Sequence, residues 1–88
     1  MPADVTVAHI SSAIVSAREA DAPAIAARIA AVPGNEVHAV AGPRIIVVME
    51  DTDASRLADR LAAIAMLPGV LAASMVFEQA LEPEQETS

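Results

Sequence analysis

Met66-Leu-Pro-Gly-Val-Leu-Ala-Ala-Ser-Met-Val-Phe77 repeats a pattern found earlier at residues 31–40, Ala-Val-Pro-Gly-Asn-Glu-Val-His-Ala-Val. In both places a Pro-Gly pair ends a helical pattern and precedes a short apolar run. Another apolar run stands before each helical pattern, at residues 9–17 and 44–50. The chain therefore reads as strand–helix–strand twice, with a tight turn at residues 41–43 between the halves.

Apolar spacing predicts both helices. Asp21 is a typical N-cap for the first helix, with Pro23 in the first turn, and Thr52 or Asp53 begins the second, which ends before Pro68-Gly69. The apolar stripes that recur at helical spacing are Ile25, Ile29 and Val32 in the first helix, and Leu57, Leu61, Ile64 and Met66/Leu67 in the second.

Two such halves in one short chain favour an α+β, ferredoxin-like βαββαβ sandwich. Its four-stranded antiparallel sheet has the order 4-1-3-2, with both helices on one face. The length of 88 residues allows one domain. We expect this domain over residues 1–79 and an acidic, disordered tail over residues 80–88.

Alternation along the strands assigns their side chains to two faces. In the third strand we expect Ile45, Val47 and Met49 beneath the helices, and Arg44, Ile46, Val48 and Glu50 on the other side. In the last strand the bulkier set is expected in the core, namely Leu71, Ala73, Met75 and Phe77, which leaves Val70 outside. The predicted binding surface on the uncovered side comprises Ile10, Ser12, Ile14, Ile46, Val48, Ala72, Ser74 and Val76, edged by Glu50 and Glu78.

An apolar surface of this kind on a small domain indicates a partner. Covering about 400 Å² of it gives a transfer free energy on the order of 10 kcal/mol before the costs of association. The alternative is that this face pairs with itself in a weak homodimer.

Composition excludes several functional classes. The net charge is −7, and the five basic residues, all arginine, form no cluster, which argues against nucleic acid. There is no cysteine, and the predicted topology separates His9 from His38, so we expect no metal site and no cofactor. Ser11-Ser12 lacks a nucleophile elbow. We expect no catalytic residues and no enzyme activity.

No signal sequence is visible at Met1-Pro-Ala-Asp-Val-Thr6, and the apolar runs are shorter than the ~20 residues of a membrane span. We expect a cytoplasmic protein without a membrane span.

Four segments in order resemble the NapD family, the assembly chaperones of periplasmic nitrate reductase. The likeness covers residues 9–78 and is carried by His9-Ile-Ser-Ser-Ala-Ile-Val15, Val32-Pro-Gly-Asn-Glu-Val-His-Ala-Val40, Arg44-Ile-Ile-Val-Val-Met-Glu50 and Leu67-Pro-Gly-Val-Leu-Ala-Ala-Ser-Met-Val-Phe-Glu78. Ala13, smaller than expected, and the alanine-rich helices depart from the family pattern in ways that concern packing.

The resemblance implies a cytoplasmic chaperone that binds the twin-arginine signal peptide of the nitrate reductase catalytic subunit and delays export until the molybdenum cofactor is inserted. It also implies that the peptide becomes helical on the sheet surface, with Glu50 and Glu78 as arginine partners. Two alternatives stay open: a small-molecule-sensing domain of the ACT or Lrp-effector kind, which has the same strand order, and a plain homodimeric subunit.

Overall fold

The computed structural model describes residues 8–81, with side chains described through Phe77. The elements in chain order are β1 (Ala8–Ala17), α1 (Ala22–Ala30), β2 (Asn35–Ala41), β3 (Arg44–Asp51), α2 (Ala54–Ala65) and β4 (Val70–Leu81). One sheet has the order β2-β3-β1-β4, and every neighbouring pair is antiparallel. This is the predicted order read from the opposite edge, so the ferredoxin-like fold is confirmed.

The core lies between the helices and one face of the sheet, the helix-covered face. Its central residues come from β1 and β3, where every second side chain is fully buried. These residues are Ser11, Ala13, Val15, Ala17, Ile45, Val47 and Met49. Ile25 and Ile29 of α1 and Leu57 and Ile64 of α2 complete the same core. The alternation predicted for β1 and β3 is therefore confirmed.

Both helices begin at the predicted aspartates. Asp53 caps α2 through its side chain, whose Oδ1 accepts a hydrogen bond from the Ser55 backbone N–H at 2.9 Å. Asp21 precedes α1 without a side-chain cap hydrogen bond, and Pro23 lies in the first turn.

The helices end earlier than their apolar stripes predict. α1 ends at Ala30 and α2 at Ala65, so Val32 and Met66 lie beyond the last turn and are 44% and 82% exposed. After each helix, a Pro-Gly pair reverses the chain through a left-handed glycine, with φ of +90° at Gly34 and +95° at Gly69. Val32 and Met66 therefore do not extend the stripes, because the chain has already turned, whereas Leu67, the other residue predicted at the end of the second stripe, packs against the core.

β4 departs from simple alternation because its pairing with β1 contains two register shifts. Phe77 pairs with Ser12 and Met75 pairs with Ala13, so Val76 is an extra residue between them. In the same way, Ala72 and Val70 pair with the consecutive residues Ser16 and Ala17, so Leu71 is a second extra residue.

Two shifts in β4 overturn part of the predicted core. Phe77 and Leu71 were expected inside, yet they are 52% and 68% exposed. Val70 was expected outside, yet it pairs with buried Ala17 and packs against the core. Ala73 and Met75 lie opposite Val15 and Ala13 on the helix-covered face, as predicted.

β4 continues to Leu81, two residues past the predicted end of the domain. Most of the predicted acidic tail, residues 82–88, lies outside the described residues, so its disorder stays a prediction. Within residues 8–81, no helix is long and apolar enough to cross a membrane.

Candidate functional site

The sheet side opposite the helices, here called the open face, is arranged in four rows by the strand pairing. Directly paired residues share a face, so the register fixes each row. The first row holds Glu50 and Ile10; the second holds Glu36, Val48, Ser12 and Phe77; the third holds Ala39, Ile46, Ile14 and Ser74; the fourth holds Ala41, Arg44, Ser16 and Ala72.

The centre of the open face is apolar and solvent-accessible. Ile14, Ile46 and Val48 are only partly buried, because neighbouring strands flank them while the buried helix residues pack on the opposite side. Phe77 adds a half-exposed aromatic ring on β4. This arrangement offers branched aliphatic side chains and one aromatic ring to a partner that lies across the sheet.

Most of the predicted binding surface lies on this open face. The structure places seven of its members in the rows above: Ile10, Ser12, Ile14, Ile46, Val48, Ala72 and Ser74. Glu50 stands exposed at the end of the first row, and Val76 is an exposed bulge residue of β4. Glu78 was predicted at the edge of this surface, but the register pairs it with Ser11 of the helix-covered face and so does not place it in these rows. Its side chain lies outside the described residues. Their role in binding stays a prediction.

Sequence reasoning missed Phe77 of β4 and the β2 residues of the open face, Glu36, Ala39 and Ala41. The first bulge in β4 turns Phe77 away from the core. In β2, a register shift makes His38 an extra residue and sets Glu36 opposite Val48. If the register next to the turn continued along β2 without that shift, Glu36 would pair with buried Met49. The positions of Phe77 and Glu36 thus depend on these bulges, which the local sequence does not mark.

Charges divide the open face along the strand direction. Glu36 and Glu50 occupy its first two rows, whereas Arg44 occupies the fourth. All three are exposed. One end of the apolar centre thus carries two exposed glutamates, whereas the other carries Arg44, with the Glu19 carboxylate beside the adjacent turn at Gly42.

The model of the NapD protein family matches residues 8–82, which include all six elements. The chain belongs to the NapD family. It is 43% identical over 77 residues to the chaperone NapD of Paracoccus pantotrophus, covering 88% of this chain and 69% of that protein. The solution structure of the E. coli Tat proofreading chaperone NapD superposes with a TM-score of 0.75 at 30% identity, covering 92% of this chain and 87% of the other. These comparisons confirm the family and the chaperone class predicted from the sequence.

In this NapD-family chain, a polar cluster around Arg60 holds the acidic end of the sheet from the helix side. Arg60 Nη2 lies 2.6 Å from Asp51 Oδ2, and Nη1 donates to the Glu50 carbonyl oxygen at 3.0 Å and to Asn35 Oδ1 at 3.3 Å. The Arg60 and Asp51 side chains are 20% and 11% exposed. The cluster therefore connects α2 to β2 and β3 through side-chain contacts, and the Asp51 carboxylate is already engaged in an ion pair with Arg60.

Histidine and acidic residues do not converge in the part of the chain described, where no group of three His, Cys, Asp or Glu residues could hold a metal ion. His9 lies on β1 and His38 on β2, and β3 separates these strands.

Proposed function

We propose that this NapD-family chain binds the twin-arginine signal peptide of the catalytic subunit of periplasmic nitrate reductase. It does so in the cytoplasm and delays export until the molybdenum cofactor is inserted. The observation that carries the proposal is the open face, an apolar sheet surface that no element within residues 8–81 covers, while both helices pack on the other side. The chaperone names of the relatives support it.

The chemistry of such a peptide is complementary to the open face. Export signals combine a positively charged n-region with an apolar segment of 7–15 residues. The apolar segment buries against Ile14, Ile46 and Val48, and the arginines lie near acidic side chains. Binding acts by occupancy, because a signal held on the sheet is inaccessible to the translocase until it dissociates.

A non-enzymatic role follows from this proposal. Binding and release of a peptide need no nucleophile, acid–base pair or cofactor, and the relatives are named as chaperones. The binding residues we propose are Ile10, Ser12, Ile14, Ile46, Val48, Ala72, Ser74 and Val76, with Phe77 added by the structure and Glu50 as an acidic partner.

Isothermal titration calorimetry of the full chain tests this function. A synthetic peptide with two consecutive arginines and an apolar segment is compared with the same peptide carrying two glutamines instead, and with a third in which the apolar segment is scrambled with polar residues. We expect the first peptide to bind saturably, with a Kd in the micromolar range or lower. The Kd of each of the other two peptides should be at least about tenfold higher. Equal binding of all three peptides, or no binding, would overturn the proposal.

A second copy of the chain is the competing occupant of the same surface. The exposed ring of Phe77 and the neighbouring aliphatic side chains favour self-association when no peptide is bound. Sedimentation across concentration, with and without peptide, distinguishes the two: a dimer that uses the open face dissociates as peptide is added, and one that uses another surface does not.

A further inference from the structure

We propose that the open face orients its peptide: the basic n-region lies over Glu36 and Glu50, and the apolar segment runs along the strands toward Arg44. This inference rests on the proposed function and assigns a direction to the bound peptide.

The first argument is the separation of charge along the sheet. Glu50 pairs with Ile10, and Glu36 pairs with Val48, one row further on. Arg44 pairs with Ser16 at the other end. From Ile10 to Ser16 the distance along β1 is about 20 Å, which exceeds the Debye length of about 8 Å at physiological ionic strength. The charges at one end are therefore largely screened from a peptide group bound at the other end.

The second argument is the availability of the two glutamates. Over residues 8–81, the ion pairs use Asp21, Asp51 and Asp53 as acids, and Asp51 is taken by Arg60 and Arg56. Glu36 and Glu50 take part in none of these pairs, and both are exposed. Among the residues described, Glu36 and Glu50 are therefore the open-face acids that can receive guanidinium groups.

The third argument is the fit of the apolar centre. An apolar segment of about 13 residues in a helix is about 20 Å long, which matches the distance between the charged ends. With the n-region at Glu36 and Glu50, the segment covers Val48, Ile46 and Ile14. The reverse direction brings the n-region arginines next to Arg44 and leaves the glutamates against apolar side chains, so like charges disfavour it.

Paramagnetic broadening measures this direction. The ¹⁵N-labelled full chain is mixed with the twin-arginine peptide carrying a nitroxide at the start of its n-region or at the end of its apolar segment. We expect the first label to broaden the amide signals of Ile10 and Glu50, and the second to broaden those of Ser16 and Arg44. The reverse pattern, or equal broadening at both ends, overturns the orientation while the peptide still binds. Absence of saturable broadening on the open face overturns the proposed function itself.

Charge reversal gives an independent test. Glu36→Arg is expected to weaken binding of the twin-arginine peptide about fivefold at low salt, and less at high salt, because the contact is exposed. Glu19→Arg makes the same change of net charge at an exposed position after β1, outside the acidic end, and is expected to weaken binding less than twofold. Equal losses for the two variants would show that only net charge matters and would overturn the inference.

Discussion

The two faces of the sheet are built from the same kind of residue and differ in whether helices cover them. In β3, the consecutive residues Ile45, Ile46, Val47 and Val48 are all β-branched. Ile45 and Val47 are fully buried beneath the helices, whereas Ile46 and Val48 lie on the open face. Each residue of the first pair contributes about 1.5–3 kcal/mol to folding through burial. The apolar area of the second pair remains partly exposed, because neither helix covers that side of the sheet.

Val47→Glu and Val48→Glu make the same change on opposite faces and have the largest expected effects. Val47→Glu places a carboxylate in the helix-covered core without a partner and costs about 4 kcal/mol or more, comparable to the whole stability of a domain of this size. We expect it to lose its native circular dichroism. Val48→Glu is expected to change folding by about 1 kcal/mol or less and to weaken peptide binding about tenfold.

Circular dichroism and calorimetry on both variants decide this comparison. If Val48→Glu unfolds the chain as Val47→Glu does, the open face is part of the folding core. If Val48→Glu folds and binds the peptide with unchanged affinity, the partner lies elsewhere.

The sequence predicts the regular strands well and the irregular one poorly. In β1 and β3 the alternation is unbroken, so polarity alone assigns Ile14 and Val48 to the open side. In β4 each extra residue reverses the phase of alternation, and nothing distinctive in the local sequence marks Leu71 or Val76 as an extra residue. The size of Phe77 therefore predicts a core position, although its pairing with Ser12 places it on the open face. A bulge depends on how two distant strands fit together, which one strand's sequence does not reveal.

Arg60→Ala tests the helix-covered side through its polar cluster. The change leaves Asp51 and the Glu50 carbonyl without their closest donor and is expected to cost about 2 kcal/mol, a fall in Tm of roughly 10 °C. Peptide affinity measured below the transition should change less than threefold, since the cluster lies on the other side of the sheet.

Arg56→Ala is the matched control, because Arg56 also approaches Asp51, at 3.9 Å, but is 67% exposed. Its expected cost is below about 0.5 kcal/mol. Equal thermal shifts for the two arginine variants would contradict the structural role assigned to Arg60.

Phe77→Ala and Met66→Ala remove exposed apolar side chains from opposite sides of the molecule. Phe77 lies on the open face, and Met66 follows α2. Because aromatic side chains often carry a large share of interface free energy, Phe77→Ala is expected to weaken peptide binding about fivefold. Met66→Ala should leave the affinity unchanged in the same calorimetric titration. A loss for both variants, or for Met66→Ala alone, would place the peptide on the helix side.

Asp53 gives the smallest effect and concerns folding alone. The hydrogen bond from the Ser55 side chain, with that from the Ser55 backbone N–H, lowers the pKa of Asp53 below its usual value of 3.8. A group whose pKa is lower in the folded state stabilises the fold above about pH 4 and loses that contribution as the pH falls through the folded value. The Tm of wild type should therefore be higher than that of Asp53→Asn at pH 6. This difference in Tm should become smaller below pH 3.8.

Thermal unfolding between pH 7 and pH 2.5 checks this. Ser55→Ala removes the principal hydrogen bond to Asp53. The part of its Tm that depends on ionised Asp53 should therefore be smaller, so its Tm should fall less than that of wild type as the pH is lowered. Parallel curves for wild type and Asp53→Asn would show that the cap does not couple to pH.

Chemical-shift mapping compares the two faces of the sheet in a single titration. Unlabelled twin-arginine peptide is added to the ¹⁵N,¹³C-labelled chain, and the methyl signals of Ile14, Ile46 and Val48 are followed beside those of Ile45, Val47 and Ile29. Saturable shifts in the first group, with much smaller ones in the second, are the predicted result. Larger shifts among the methyl groups of the helix-covered side, or of the helices themselves, would contradict the claim that the uncovered side of the sheet binds the signal peptide.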